Sequence, residues 1–189
     1  MKSTLTRTRE AVGVIMKPAH ETSETATMIV VDALPLRRAG LSELLRIWAE
    51  GLGLEIFAVG PEGLSVLSEH DVRRTVAIVL SLGEVSIRET DVRQLIDHAR
   101  RLFAATPLVV VSDRHDPGEI ILAFQEGARG FIPTSTEPAL ALASLSFVLA
   151  GGSYFPPSAL VRSGAGRVHL ARSERRPIHR TVTVEKLDG

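Results

Sequence analysis

Short apolar runs of strand length alternate with amphipathic segments of helical length from Thr27 onwards. The first run, residues 28–31, ends at Asp32 and reads as a buried strand. The next segment, residues 35–48, places apolar residues at i, i+3, i+4 and i+7 on one helix face, namely Leu41, Leu44, Leu45 and Trp48. Pro35 suits the first turn of that helix because its missing N–H costs nothing there. The pattern therefore predicts a strand followed directly by a helix.

The same alternation continues to residue 150. It predicts further strands at 54–59, 76–80, 107–112 and 130–132, and further helices at 61–71, 87–104, 117–126 and 137–150. Five strands alternating with five helices through short loops require a parallel sheet covered by helices on both faces. The pattern fits the α/β, flavodoxin-like strand order 2-1-3-4-5, with functional loops at the carboxyl ends of the strands, although periodicity alone leaves other α/β orders open.

Charge divides the neutral chain into unlike parts. Residues 26–152 carry eleven basic and sixteen acidic side chains, whereas residues 153–189 carry seven basic and three acidic ones. We therefore predict a flexible N-terminal arm (1–26), one domain (27–152) and a basic C-terminal tail (153–189). The basic residues of the tail are Arg162, Arg167, Arg172, Arg175, Arg176, Arg180 and Lys186.

The tail does not resemble a complete DNA-binding domain. A helix-turn-helix domain needs ~60 residues with periodic apolar positions, and the 37 residues after Gly152 are too few and lack that periodicity. Such a tail can bind an acidic surface or nucleic acid non-specifically, but we do not expect specific DNA recognition.

Several kinds of chemistry are excluded or unsupported by composition. The chain has no cysteine, which excludes disulfides, thiolate metal sites and a cysteine nucleophile. The six histidines show no metal-ligand spacing, and no Gly-x-Ser-x-Gly turn or glycine-rich phosphate loop follows a strand. The apolar runs are shorter than the ~20 residues of a membrane span, and the N-terminus lacks the apolar region of a signal peptide. We expect a cytoplasmic protein that is not an enzyme and holds no metal or cofactor.

Four segments together resemble a known family. They are residues 29–41 (IVVDALPLRRAGL), 108–113 (LVVVSD), 127–135 (GARGFIPTS) and 150–156 (AGGSYFP). In this order they resemble receiver (CheY-like) domains of response regulators, in the branch of the NarL/LuxR-type transcription factors. The resemblance covers about residues 27–157 and implies a flavodoxin-like fold.

The resemblance also implies a phosphorylation pocket, which this chain keeps only in part. In the family, two acids after the first strand hold Mg²⁺, an Asp after the third strand accepts the phosphoryl group, a Ser or Thr ends the fourth strand and a Lys ends the fifth. The matching positions here are Asp32, Ala33, Ser81, Ser112 and Thr134. A serine hydroxyl needs a general base to attack phosphorus. Phosphoryl transfer also depends on the positive charges of Mg²⁺ and Lys, and Ala33 and Thr134 cannot supply the metal ligand and the cation at these positions. We predict a degenerate pocket that is not phosphorylated by the usual route.

The remaining pocket residues have ordinary interpretations. We interpret Asp32 as a residual capping or loop acid and expect Ser112 and Thr134 to form local hydrogen bonds at strand ends. Phe131 occupies the position of the family's aromatic switch residue. It either packs under the fourth helix or helps to present a partner surface, and the sequence favours neither.

These observations predict a pseudo-receiver that acts in two-component signalling or transcriptional regulation by binding a protein, either a kinase or a regulator. We expect residues 116–126 and 136–150 to form the contact surface and, because residues 140–149 are more apolar than one buried face requires, a homodimer. Two alternatives remain: a DNA-associated LuxR-type regulator with a reduced output region, and a sensor that binds a small ligand in the vacated acidic pocket.

Overall fold

The computed structural model describes residues 25–160 and contains one parallel sheet. Its strands are β1 (Ala26–Asp32), β2 (Leu54–Val59), β3 (Thr75–Gly83), β4 (Leu108–Ser112) and β5 (Gly130–Pro133). All neighbouring strands are parallel, in the order β2-β1-β3-β4-β5. The predicted order 2-1-3-4-5 is confirmed.

Five α-helices connect or follow the strands. They are α1 (Pro35–Gly51), α2 (Glu69–Arg74), α3 (Thr90–Leu102), α4 (Pro117–Gln125) and α5 (Pro138–Leu149). The predicted helix at 61–71 is wrong in its bounds, because a 3-10 helix (Pro61–Val66) comes first and α2 starts anew after Ser68. Ser68 and Asp71 form a reciprocal capping box that fixes this second start.

The helices pack on both faces of the sheet because strand side chains alternate between the faces. On one face, Ile29, Val31, Ile78 and Leu80 pack with apolar residues of α3 and α4. On the other face, strand residues pack with α1 and α5; these include Met28, Val30, Val79, Leu45 and Leu145. Burying one such side chain stabilises the fold by roughly 1.5–3 kcal/mol. Because all five strands run parallel, their carboxyl ends meet at a single edge of the sheet.

The chain after α5 returns to the sheet beside β5. The Phe131 amide donates to the Tyr154 carbonyl at 2.8 Å, and the Tyr154 amide donates to the Arg129 carbonyl at 3.0 Å. Pro156 is buried, and a 3-10 helix (Pro157–Leu160) follows. The packed chain thus continues beyond residue 152, where the sequence pattern placed the end of the domain.

The predicted arm, apart from its last two residues, and the basic side chains of the predicted tail lie outside the described residues. Within residues 25–160, no helix combines the length and the apolar character needed to cross a membrane.

Candidate functional site

The residues predicted to form the pocket lie at the carboxyl edge of the sheet. Asp32 ends β1 and is the register partner of Ser81 in β3. Ser112 ends β4 and is paired with Gly83, while Thr134 directly follows β5. The fold brings Asp32 and Ser81 together, and it places Ser112 and Thr134 in two separate local hydrogen-bond arrangements.

Asp32 forms a bidentate ion pair with Arg37 of α1. Arg37 Nε donates to Asp32 Oδ2 at 2.6 Å, and Arg37 Nη2 donates to Oδ1 at 2.9 Å. The Leu34 amide also donates to Oδ1, at 2.7 Å. The Asp32 side chain is 0% exposed and that of Arg37 is 30% exposed. A charge buried to this degree needs such partners, because an unpaired carboxylate would lose its hydration without compensation.

The surroundings of Asp32 keep its carboxyl group ionised. Burial raises its pKa, but the hydrogen bonds from Arg37, Ser81 and the Leu34 amide, together with the charge of Arg37, outweigh burial and hold the pKa below its ordinary value. The expected residual acid is therefore the buried anion of an internal ion pair. Its interpretation as a capping group accounts only for the bond from Leu34.

Sequence reasoning missed Arg37. It lies five residues after Asp32, on the first turn of a helix, where an arginine ordinarily indicates a solvated surface. Gly83 makes room for the guanidinium group of Arg37. It has a φ of 59°, and a Cβ added there would lie 1.8 Å from Arg37 Nη1. Arg37 therefore reaches from α1 across the end of β1 to the end of β3.

Ser81 is part of β3, which extends to Gly83 and not only to residue 80 as predicted. Its side chain is buried and forms a hydrogen bond with the Asp32 carboxylate that lowers the pKa of Asp32. Among residues 25–160, no histidine and no carboxylate other than that of Asp32 forms a hydrogen bond with this hydroxyl. Because Asp32 is already committed to Arg37, the arrangement offers Ser81 little assistance in losing its proton.

Ser112 and Thr134 bind neighbouring groups. The buried Ser112 hydroxyl donates to the Gly83 carbonyl at 3.1 Å and accepts from the Arg114 amide at 3.1 Å. The exposed Thr134 hydroxyl donates to the Asp113 carboxylate. Both side chains thus bind groups at the carboxyl edge without reaching Asp32.

Phe131 is one of the largest fully buried side chains. It packs in the cluster that includes Ile120 and Ala123 of α4. This geometry matches the first of its two interpretations, packing under the fourth helix, and a side chain that is 1% exposed presents no surface to a partner in this conformation.

The residues at this edge do not fit a Mg²⁺ ion. Ala33 has no ligand atom, and both carboxylate oxygens of Asp32 are held by Arg37. Residues 25–160 contain no group of three or more histidine or acidic side chains arranged to hold a metal. Mg²⁺ prefers six oxygen ligands in near-octahedral geometry, and here a guanidinium takes the place next to the carboxylate.

A cavity of about 510 Å³ opens beside this ion pair. It lies between the ends of β1 and β3 and the start of α3, and Ala33 is at its border. Leu34, Leu82, Val85 and Leu95 contribute much of its apolar lining. The charged groups at the cavity are Asp32, Arg37, Glu84, Asp91 and Asp113.

The loop that borders the cavity is tied to α4 by Glu119. This carboxylate is 2% exposed and accepts from the Ser86 hydroxyl at 2.5 Å and from the Ile87 amide at 2.8 Å. The guanidinium groups of Arg88 and Arg114 lie 3.6 and 3.8 Å from it. Sequence reasoning missed Glu119, because a glutamate in the first turn of a helix ordinarily remains in solvent.

No protein-family model matches this chain. A curated relative, the transcriptional regulatory protein UhpA of Salmonella typhimurium, is 25% identical over 141 residues, which span 75% of this chain and 67% of UhpA.

Solved structures of response regulators have a similar fold. A LuxR family DNA-binding response regulator from Silicibacter pomeroyi is 26% identical with a TM-score of 0.53, covering 70% of this chain and 98% of that one. The isolated receiver domain of RcsB from Salmonella enterica serovar Typhimurium is 15% identical with a TM-score of 0.55, covering 72% and 97%. The fold is that of a receiver domain, and the similar proteins include LuxR family response regulators.

Proposed function

We propose that this chain is a receiver-type signalling module that works without phosphorylation and acts by binding a protein partner. The observation that carries the proposal is the Asp32–Arg37 ion pair. It engages both oxygens of the acid that would have to bind a metal, and it does so with a tethered cation of this chain.

The other positions support the same proposal. Ser81 offers a hydroxyl where an active receiver has a carboxylate, and a hydroxyl is not ionised near neutral pH. Thr134 has no charge with which to stabilise a transferring phosphoryl group, and its hydroxyl is engaged by Asp113. Phosphoryl transfer depends on positioning and charge stabilisation, and neither is provided by these side chains.

Intact-mass analysis after incubation with acetyl phosphate and Mg²⁺ tests the proposal, with an active receiver as the positive control. We expect no phosphoryl adduct on this chain. The variant Ser81→Asp restores the acceptor alone, and Ala33→Asp/Arg37→Ala/Ser81→Asp restores the acceptor and a second acid while removing the tethered cation. We expect the triple variant to gain more adduct than Ser81→Asp. An adduct on the unmodified chain would overturn the proposal.

The surface of residues 25–160 favours a second copy of this chain as the protein partner. Helix α5 has no charged residue, and Leu140 and Phe147 on it are 51% and 56% exposed. Of the apolar residues that motivated the dimer, Leu145 and Val148 are instead buried against the sheet. We propose that the exposed apolar side of α5 forms a two-fold symmetric contact.

Light scattering coupled to gel filtration at tens of micromolar tests the dimer. We expect Leu140→Glu to shift the protein to monomer, because it places a charge in the contact. Leu52→Glu, which changes an apolar residue outside α5 that is also 51% exposed, serves as the matched control. A monomeric unmodified protein would overturn this proposal.

The DNA-associated alternative stays a prediction, because the basic side chains on which it depends lie outside the described residues. A salt-dependent gel shift that is lost on deleting residues 158–189 would support it. The small-ligand alternative is favoured by one specific observation, the cavity beside Asp32 and Arg37.

A further inference from the structure

The cavity has the location and size of a ligand-binding site. In the strand order β2-β1-β3-β4-β5, the chain leaves β1 towards one edge and β3 towards the other, so a crevice opens between their carboxyl ends. Ligands of open α/β sheets bind at this topological switch point. The volume of about 510 Å³ is within the range of roughly 300–1,000 Å³ typical of small-molecule sites.

The lining of the cavity selects a ligand with an apolar body. Leu82 is buried and Leu95 is half-buried at its inner side, whereas Leu34 and Val85 are exposed. Within residues 25–160, no segment covers these two exposed side chains. An apolar group bound here would shield Leu34 and Val85 from water and would bury its own surface. Burial of apolar surface is the main driving force for binding in such sites.

The charges around the cavity select a cation. Glu84, Asp91 and Asp113 are exposed carboxylates of its lining, and Arg37 is its one cationic side chain. Arg37 already neutralises Asp32 through two hydrogen bonds, so the three other carboxylates are not balanced from within the cavity lining. Their combined field attracts a positive ligand and repels an anion.

We propose that this cavity binds an organic amine, a protonated amino group on an aromatic or branched apolar body. The amino group lies towards Glu84 and Asp91, and the apolar body contacts Leu34, Val85 and Leu95. This inference rests on the proposed loss of phosphorylation, because a pocket that cycled through a phosphoryl group would have to keep this space free for it.

Three probes with the same ring system and different charge test the inference: tryptamine, indole-3-propionate and the neutral alcohol tryptophol. Binding to the full chain is measured by calorimetry at low ionic strength, and amide NMR shifts locate it. We expect tryptamine to bind about tenfold more tightly than indole-3-propionate, with tryptophol between them, since each exposed ion pair changes affinity by roughly 1.5- to 5-fold. The shifts should concentrate at residues 80–95.

Charge variants of the rim separate this site from general attraction to an acidic protein. Glu84→Gln/Asp91→Asn should reduce the preference for tryptamine over indole-3-propionate by about 2- to 10-fold, while leaving tryptophol binding unchanged. Glu137→Gln, an exposed acid away from the cavity, is the matched control and should change nothing.

Three results would overturn the inference: no binding of tryptamine, binding of the anion as tightly as the amine, or an equal effect of Glu137→Gln. None of these outcomes bears on phosphorylation. The intact-mass experiment decides that separately, so a failure of the ligand inference and a failure of the proposed function can be told apart.

Discussion

Replacing Arg37 by methionine would test the importance of the internal ion pair. Arg37→Met keeps a long, flexible side chain but removes the two hydrogen bonds, of 2.6 and 2.9 Å, and the charge that faces Asp32. The Asp32 carboxylate, which is 0% exposed, would then retain only the Leu34 amide and the Ser81 hydroxyl as partners. We expect a large loss of stability because a buried anion remains without a counter-charge.

The expected loss can be worked out from the geometry. Removing one partner of a fully buried ion pair destabilises proteins by about 3–5 kcal/mol. Here the value is smaller, because Arg37 is 30% exposed, so solvent screens the pair, and because two hydrogen bonds to Asp32 remain. We therefore expect Arg37→Met to lower the free energy of unfolding by about 2–3 kcal/mol at pH 7.

Urea denaturation provides the measurement. The chain has one tryptophan, Trp48, which is half-buried between the sheet and α5 and donates to Ser146 Oγ at 3.2 Å, so its fluorescence reports on folding. Arg38→Met is the matched control, since Arg38 donates to the backbone carbonyl of Asp32 and not to its carboxylate. Its effect should be smaller, about 1 kcal/mol.

The pH dependence adds a second test. In the unmodified chain the pKa of Asp32 is lowered on folding, so its contribution is complete above the unfolded pKa of about 3.9 and is lost as the pH falls through the folded pKa. In Arg37→Met, burial raises the pKa of Asp32, and protonation relieves the buried charge as the pH falls. The difference between the two proteins should therefore shrink from pH 7 towards pH 4.

Two results would refute this reasoning. One is a loss below about 0.5 kcal/mol at pH 7, the scale of an ordinary surface substitution. The other is a loss that stays constant across the same pH range. Adding Asp32→Asn to Arg37→Met should recover part of the lost stability, because the double variant leaves no uncompensated charge.

Two further substitutions have defined expectations. Gly83→Ala should lower the free energy of unfolding by about 2 kcal/mol or more, because an L-residue is strained at a φ of 59° and its Cβ would collide with Arg37. The control is Gly40→Ala, at a helical position where a Cβ would meet no atom within 4 Å, and it should stabilise the protein slightly. Urea denaturation measures both variants, and equal effects would contradict this expectation. Glu119→Ala should lower the free energy of unfolding by about 2–3 kcal/mol, because it leaves the buried Ile87 amide without its hydrogen-bond partner. Amide hydrogen exchange should increase in residues 84–89. Unchanged exchange there would contradict the proposed contact between this loop and α4.

The fold was predictable because its signals are periodic. Runs such as residues 76–80 are apolar on both faces, which occurs in the centre of a parallel sheet, and the predicted order of strands matches the observed one. The 3-10 helix Pro61–Val66 was not predicted, since one or two turns give too few residues to distinguish helix types by periodicity.

The site was predictable only in its positions. The register of parallel strands places Asp32 beside Ser81, as expected for residues at the ends of neighbouring strands. The partners of these residues were not predictable, because Arg37 and Glu119 are charged side chains on helices and nothing in their spacing shows that they turn towards buried groups. Such contacts depend on the packing of distant elements, which periodicity does not report.

The segment after α5 has a consequence for how the sheet meets other chains. An edge strand presents unpaired backbone groups that can recruit another strand, and proteins avoid aggregation by covering or charging such edges. The backbone of Tyr154 occupies part of the edge of β5, while β2 carries Glu55 on the opposite edge. A chain cut after Gly152 would retain all five strands but would expose the outer edge of β5 along its length. The short segment around Tyr154 therefore protects β5 from pairing with a strand of another molecule.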